Sequence, residues 1–138
     1  MPSFKFSIPL KVPARDVNHR DHVGFHNFFF YFHQARTAYL EQFGYEETSR
    51  FEYGLIVTEA ACQYKRELSE GDDLRIYCRT AEMKSKMLRM LFEIKRGDLL
   101  CAEGGATYLC YSYDLRKVIT MPGSLVEGIR AFEGDLKN

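Results

Sequence analysis

Apolar and polar residues alternate with period two over residues 4–14. Phe4, Phe6, Ile8, Leu10 and Val12 point one way, with Lys5, Ser7 and Lys11 between them, which predicts a half-buried strand. Pro13 ends that strand or places it at a sheet edge. The period then changes. Phe28, Phe32, Ala35 and Tyr39 fall at helical spacing, and Phe29, Arg36, Leu40 and Phe43 fill the neighbouring row, which predicts a helix over about 27–43. Asn27 is placed to cap its start and Gly44 to close its end in a left-handed turn. The residues after Gly44, YEETSRFEYG, are polar and irregular and read as a surface connection.

From Leu55 onward the pattern is strand after strand. Leu55–Leu68 is bounded by the turn Ser69-Glu70-Gly71-Asp72. Leu74–Lys84 alternates around Leu74, Ile76 and Cys78, and Lys84-Ser85-Lys86 turns into Met87–Lys95. Gly97-Asp98 is a hairpin signal. Leu99–Tyr113 is a long strand with Gly104-Gly105 inside it, where glycine implies a bulge or the close approach of another backbone. A turn at Asp114–Lys117 precedes a short strand, Val118–Thr120. Pro122 opens a final helix, with Gly123 or Ser124 near its start and Leu125, Ile129 and Phe132 on one side. Strands that follow a single long helix mean an α+β class rather than a parallel α/β sheet. A helix aromatic on most faces must be covered on most faces. That requirement predicts a curved antiparallel sheet wrapped around one long central helix. Phe30 and Tyr31 lie off the main stripe and call for a second protomer, a ligand or plain core packing.

The chain of 138 residues is expected to form one domain, 1–138, and its apolar content of 46% is ordinary for a protein with a real core. With 19 basic and 19 acidic residues the formal net charge is zero, which argues against nucleic acid as a partner. The first residues lack the long apolar run of a signal peptide, and the densest apolar run, Phe28–Phe32, is too short to span a bilayer, so no membrane partner is expected. Cys62, Cys78, Cys101 and Cys110 form no CxxC pair and sit in strand-like runs. They read as reduced core residues of a cytoplasmic protein. His19, His22 and His26 lie mostly in a loop and no HExxH pattern exists, so no metal is expected.

The segment DVNHRDHVGFHNFFFYFHQAR, running from Asp16 through the first half of the predicted helix, resembles the hotdog-fold acyl-CoA thioesterases, in particular the branch that contains 4-hydroxybenzoyl-CoA thioesterase. In that branch a first strand leads into a loop reading roughly Asp-x-Asp-x-x-Gly-His-Val, and the helix carries Tyr-x-x-x-x-Glu-x-Ala-Arg. Asp16, His22, Val23, Ala35 and Arg36 match in register without a gap. Tyr64 followed by Leu68 and Gly71-Asp72 is similar to the family's Tyr-x-x-Pro-Leu-x-x-Gly-Asp turn, and Pro122 before the last helix also fits. There are three departures. The family's catalytic aspartate falls on Asn18, its helix glutamate on His33, and the glycine before the histidine on Asp21. The resemblance implies hydrolysis of an acyl-CoA thioester, no cofactor, and a dimer or tetramer of identical chains with the cleft between protomers.

Such a site needs backbone N–H groups at a helix start to hold the developing oxyanion, and Gly24 and Phe25 are the candidates. It also needs a carboxylate or another base to attack or to activate water. An amide at residue 18 has no useful basicity but orients a water or the thioester oxygen; equally, Asn18 caps a turn. His33 as neutral imidazole, or a carboxylate from Asp16, Asp21 or Glu59, would then be the base. His33 also reads as a helix-surface residue, and Glu59 as an exposed strand residue paired with a lysine or arginine. His22 holds the loop by hydrogen bonds, and Asp21 lies beside it. Two further readings stand: a hydratase or dehydratase pairing His26 or His33 with Glu59, and an acyl-CoA-binding protein without catalysis.

Overall fold

The computed structural model describes residues 4–45, 53–134 and 136. The elements run β1 (Phe6–Lys11), α1 (Phe25–Glu41), β2 (Tyr53–Tyr64), β3 (Asp73–Met83), β4 (Met87–Arg96), β5 (Leu99–Ser112), β6 (Lys117–Val118) and α2 (Gly123–Glu133). A turn of 3₁₀ helix, Ala14–Asp16, leads from β1 into the loop before α1. The strands form one antiparallel six-stranded sheet in the order β1-β3-β4-β5-β2, and β6 pairs with the end of β5. The expected surface connection after Gly44 falls largely on residues 46–52, outside the described residues; Tyr45 before it is buried.

The α+β class is as expected, but the sheet is not wrapped around a long central helix. It is an open path that ends at β1 and β2, and its helices have 17 and 11 residues. The aromatic run Phe28–Phe32 suggested cover on every side, and that inference fails because α1 hides one face only. Phe28, Tyr31, Phe32, Ala35, Arg36, Tyr39 and Leu40 are buried at helical spacing, while Phe30 is 48% exposed and His33 also faces outward. A helix with one hidden face needs sheet on one side only. α2 supplies further cover, burying Leu125 and Ile129 and setting Phe132 against the rings of Tyr39 and Phe43 at 5.8 Å each.

α1 starts two residues earlier than expected. Gly24, not Asn27, is the N-cap, and Asn27 lies in the first turn, where its Nδ2 donates back to the Asp16 carbonyl at 3.2 Å. Gly44 does take the left-handed conformation, with φ +84°, and the Tyr45 N–H reaches the Leu40 carbonyl at 3.2 Å, the six-to-one bond of a Schellman closure. Gly97, with φ +62°, opens the hairpin between β4 and β5, as a two-residue turn with glycine first requires. Gly104-Gly105 makes no bulge, since the register runs unbroken past both glycines on each side. A Cβ at Gly104 would collide with the Ala61 carbonyl oxygen and come within 2.8 Å of the Phe32 ring. The glycine is there so that Phe32 can lie against the sheet and stack on Phe92, centroids 4.7 Å apart.

Candidate active site

The loop between β1 and α1 is held from two sides. The Gly71 N–H donates to the Val12 carbonyl at 2.9 Å and the Val23 N–H donates to that of Leu68 at 2.8 Å. These bonds tie both ends of the loop to the turn between β2 and β3. Val17 and Val23 bridge across the loop, and the Gly24 N–H donates to the Asp16 carbonyl at 3.2 Å. Asp16 is thereby fixed beside the first turn of α1. Its Oδ2 accepts a hydrogen bond of 2.7 Å from the Tyr31 hydroxyl. Tyr31 is fully buried, and burial, reinforced by the Asp16 hydrogen bond, holds its phenol well above the usual range. Tyr31 was not read from the sequence as a site residue. Its signal was available, because a tyrosine two turns into a helix that begins beside a loop with two aspartates has the reach to restrain a carboxylate.

Asn18 and Asp21 shape the same loop. Asn18 is exposed, and its Oδ1 accepts from the backbone N–H of Arg20 at 2.8 Å and of His22 at 3.4 Å. Its own N–H donates to the His22 carbonyl at 2.9 Å, which makes residues 18–22 a closed Asx-stabilised turn. Asp21 lies in that turn with φ +66°. This explains the departure noted above: the position calls for a left-handed residue, and aspartate is among the few non-glycine residues that tolerate it. The His22 imidazole pairs with Glu67 at 2.9 Å.

The start of α1 is open. The first-turn N–H groups of a helix have no intrahelical acceptor, and here they belong to Phe25 and His26 beside the Gly24 cap. A side chain at Gly24 would meet the His26 ring, 2.8 Å from its Cε1. Phe25 is 71% exposed, and its carbonyl accepts from the Tyr64 hydroxyl at 3.1 Å. Tyr64 packs edge-on against Phe28. The end of β2 thus joins the helix start around a cleft of about 360 Å³ that includes His22, Phe25, Lys65 and Arg66.

His33 and Glu59 lie elsewhere. His33 is eight residues beyond Phe25, about 12 Å along the helix axis, and lines a separate cavity of about 280 Å³. That cavity lies between α1 and the β2 side of the sheet, and Arg36, Val57, Ala60, Ala106 and Tyr108 border it as well. Glu59 is exposed and reaches Arg89 and Thr107, each at 3.5 Å. Thr107 alternates with Ala106 and Tyr108 along β5, so Glu59 sits on the sheet face away from α1. Within one chain the fold therefore brings together Asp16, Asn18, Asp21, His22, Gly24 and Phe25. It brings neither His33 nor Glu59 to them, and neither His26 nor His33 to Glu59. Among the described residues no group of three His, Cys, Asp or Glu could hold a metal ion. None of their helices is long and apolar enough to cross a membrane. All four cysteines are free thiols.

The family model of the thioesterase-like superfamily matches residues 12–129, and the chain belongs to that superfamily. No curated protein matches the sequence. Among solved structures, a hypothetical protein from Staphylococcus aureus, determined in complex with CoA, superposes with TM-score 0.88 at 18% identity, over 96% of this chain and 86% of its own. A 1,4-dihydroxy-2-naphthoyl-CoA thioesterase from Synechocystis superposes with TM-score 0.83 at 19% identity, over 90% of this chain and 94% of its own. At these identities the likeness is one of fold.

Proposed function

We propose that this protein hydrolyses an acyl-CoA thioester to the free acid and CoA, within the 4-hydroxybenzoyl-CoA thioesterase-like branch of the superfamily. The observation that carries this reading is the Asp16 carboxylate, restrained by Tyr31 at 2.7 Å beside the open start of α1. The thioester carbonyl oxygen would accept from the Phe25 and His26 N–H groups, where the helix dipole favours developing negative charge. Asp16 takes a proton from water as the water oxygen attacks the carbonyl carbon. The carbon–sulfur bond then breaks, and the proton passes to the departing CoA thiolate. Asn18 spends its carbonyl oxygen on the turn and serves to shape the loop, with Asp21 and His22 beside it. The cleft at Tyr64 and Lys65 gives the carrier arm a way out of the site.

The free edge of β2 belongs to the same reading. Among the described residues β2 pairs only with β5, and its twelve residues include the exposed Val57, Ala60 and Ala61. A long unpaired edge of this kind is a template for strand pairing, and a second copy of the chain would cover it.

The experiment measures thiol release from octanoyl-CoA by Asp16→Asn, Asn18→Ala and His33→Ala. Asp16→Asn should lose about 10²–10⁴-fold in kcat, the usual contribution of a general base, while His33→Ala stays within about tenfold of the parent protein. Full activity in Asp16→Asn would end this assignment. The carboxamide at residue 18 favours one competing reading, an acyl-CoA-binding protein without turnover. Tight octanoyl-CoA binding by the unmodified protein with no thiol released would establish that reading instead.

A further inference from the structure

We infer that His22, oriented by Glu67, is the acid that protonates the departing sulfur, with Asp16 as the base on the other side of the carbonyl. This rests on the thioester reading above and names the route by which a proton reaches the thiolate. Backbone hydrogen bonds bring the two residues together. The Val23 N–H donates to the Leu68 carbonyl at 2.8 Å, and His22 and Glu67 each stand one residue before that contact. Asn18 closes the turn on His22, donating its N–H to the His22 carbonyl and accepting from the His22 N–H through Oδ1. Arg96 Nη1 donates to the Glu67 carbonyl at 2.9 Å. Both main chains are therefore fixed, and His22 Nε2 lies 2.9 Å from Glu67 Oε2. An imidazole oriented by a carboxylate is the arrangement that proton-transferring histidines use.

The cleft beside the start of α1 is bordered by His22, Phe25, Tyr64 and Glu67, and not by Asp16. Asp16 is held instead against Gly24 and Tyr31. A thioester whose carbonyl oxygen takes the N–H groups of Phe25 and His26 has its carrier arm in the cleft, and sulfur is the first atom of that arm. The sulfur thus lies on the His22 side, while water meets Asp16. With Nε2 engaged by Glu67, Nδ1 is the nitrogen open to a ligand. A neighbouring carboxylate favours the doubly protonated form of an imidazole, which has a proton to give there. The two side chains are 42% and 71% exposed in the free protein. A carrier arm in the cleft covers them, and the loss of water strengthens their attraction.

The step balances. The water oxygen bonds to the carbonyl carbon and one of its protons passes to Asp16. As the tetrahedral intermediate collapses, the carbon–sulfur bond breaks with its electron pair on sulfur, and sulfur takes the His22 Nδ1 proton to leave as the thiol. Asp16 returns its proton through water to the neutral imidazole, and both groups are restored.

The test compares kcat/KM for octanoyl-CoA, octanoyl-N-acetylcysteamine and S-(4-nitrophenyl) thiooctanoate in the parent protein, His22→Gln and Glu67→Gln. The first two release an alkyl thiolate, which gains from protonation; the third releases a nitrothiophenolate, a stable anion that does not. His22→Gln should lower turnover of both alkyl thioesters by at least about tenfold, toward the range of about 10²–10⁴-fold for a general acid, and change the aryl thioester by less than about threefold. Glu67→Gln, at an exposed position where the change leaves folding intact, should lower the two alkyl thioesters by about two- to fivefold, the size of a partly exposed ion pair, and again spare the aryl thioester. Equal losses on all three substrates would mean a clasp that only holds the loop and would overturn the inference, as would unchanged alkyl turnover in His22→Gln. A loss confined to octanoyl-CoA would put His22 on the carrier arm rather than on sulfur and overturn it as well. If the parent protein hydrolyses none of the three, the thioester reading falls and the acid with it; hydrolysis by the parent without the split between leaving groups removes the acid alone.

Discussion

A buried polar contact joins α1, β3 and α2, and it makes a quantitative prediction. Tyr39 is fully buried and its hydroxyl donates to Glu133 Oε2 at 2.5 Å. Having spent its one proton there, it lies 3.0 Å from Thr80 Oγ1, from which it accepts. The Thr80 N–H donates to the same Glu133 oxygen at 3.0 Å, while Oε1 is buried with no hydrogen-bond partner. Replacing Tyr39 by phenylalanine keeps the ring packed against Phe6 and Phe43, whose centroids lie 5.5 and 5.4 Å away, and removes only the hydroxyl. A hydrogen bond to a charged acceptor contributes about 1.5–3 kcal/mol, and the group left behind is more costly when buried. We expect Tyr39→Phe to cost about 2 kcal/mol, or about 8 °C in Tm for a chain of this size. The assay is urea unfolding, with the midpoint lowered and the m-value unchanged. Glu133→Gln completes a double-mutant cycle, and a coupling of at least about 1 kcal/mol should appear, because both changes break one contact. A loss under about 0.5 kcal/mol in Tyr39→Phe, the range of substitutions that touch nothing important, would refute the reasoning, as would strictly additive single losses.

Two further outcomes follow from the same packing. Gly104→Ala should cost about 1–3 kcal/mol in urea unfolding, because its Cβ meets the Ala61 carbonyl and the Phe32 ring; a stabilised variant would contradict the close approach. Tyr31 and Tyr39 both have phenols raised above the ordinary value, chiefly by burial and then by their carboxylate partners. A group whose folded pKa is raised contributes its stability fully below the unfolded pKa of about 10 and loses it as pH climbs above that. A tyrosinate absorbance titration should therefore leave these two of the nine tyrosines silent above pH 10 until the protein unfolds. Smooth ionisation of all nine in a folded protein would contradict it.

The strands were legible because their alternation survives in the sequence. β3, β4 and β5 were placed within a residue or two, and the Gly97 turn and the left-handed Gly44 were read from the residue type that adopts positive φ most readily. What misled was the aromatic run in α1. Sequence records that Phe28 through Phe32 are apolar, but not that Phe30 faces outward while Tyr31 is buried. Those two neighbours point about 100° apart on a helix, and only the position of the sheet decides which is hidden. From that ambiguity came the wrapped sheet, where an open one with α2 as added cover was found.

The candidate site divides along the same line. Local chemistry is written locally: Asn18 closing a turn and Asp21 standing where glycine is expected are both products of residues 18–22. The partner of Asp16 is not, since it lies fifteen residues on. The candidates that sequence grouped by chemical type, His33 and Glu59, are separated by rise along a helix and by alternation along a strand, neither of which a list of suitable residue types contains. α1 restrains Asp16 through Tyr31, while its Phe29, His33 and Arg36 border a separate cavity against the sheet.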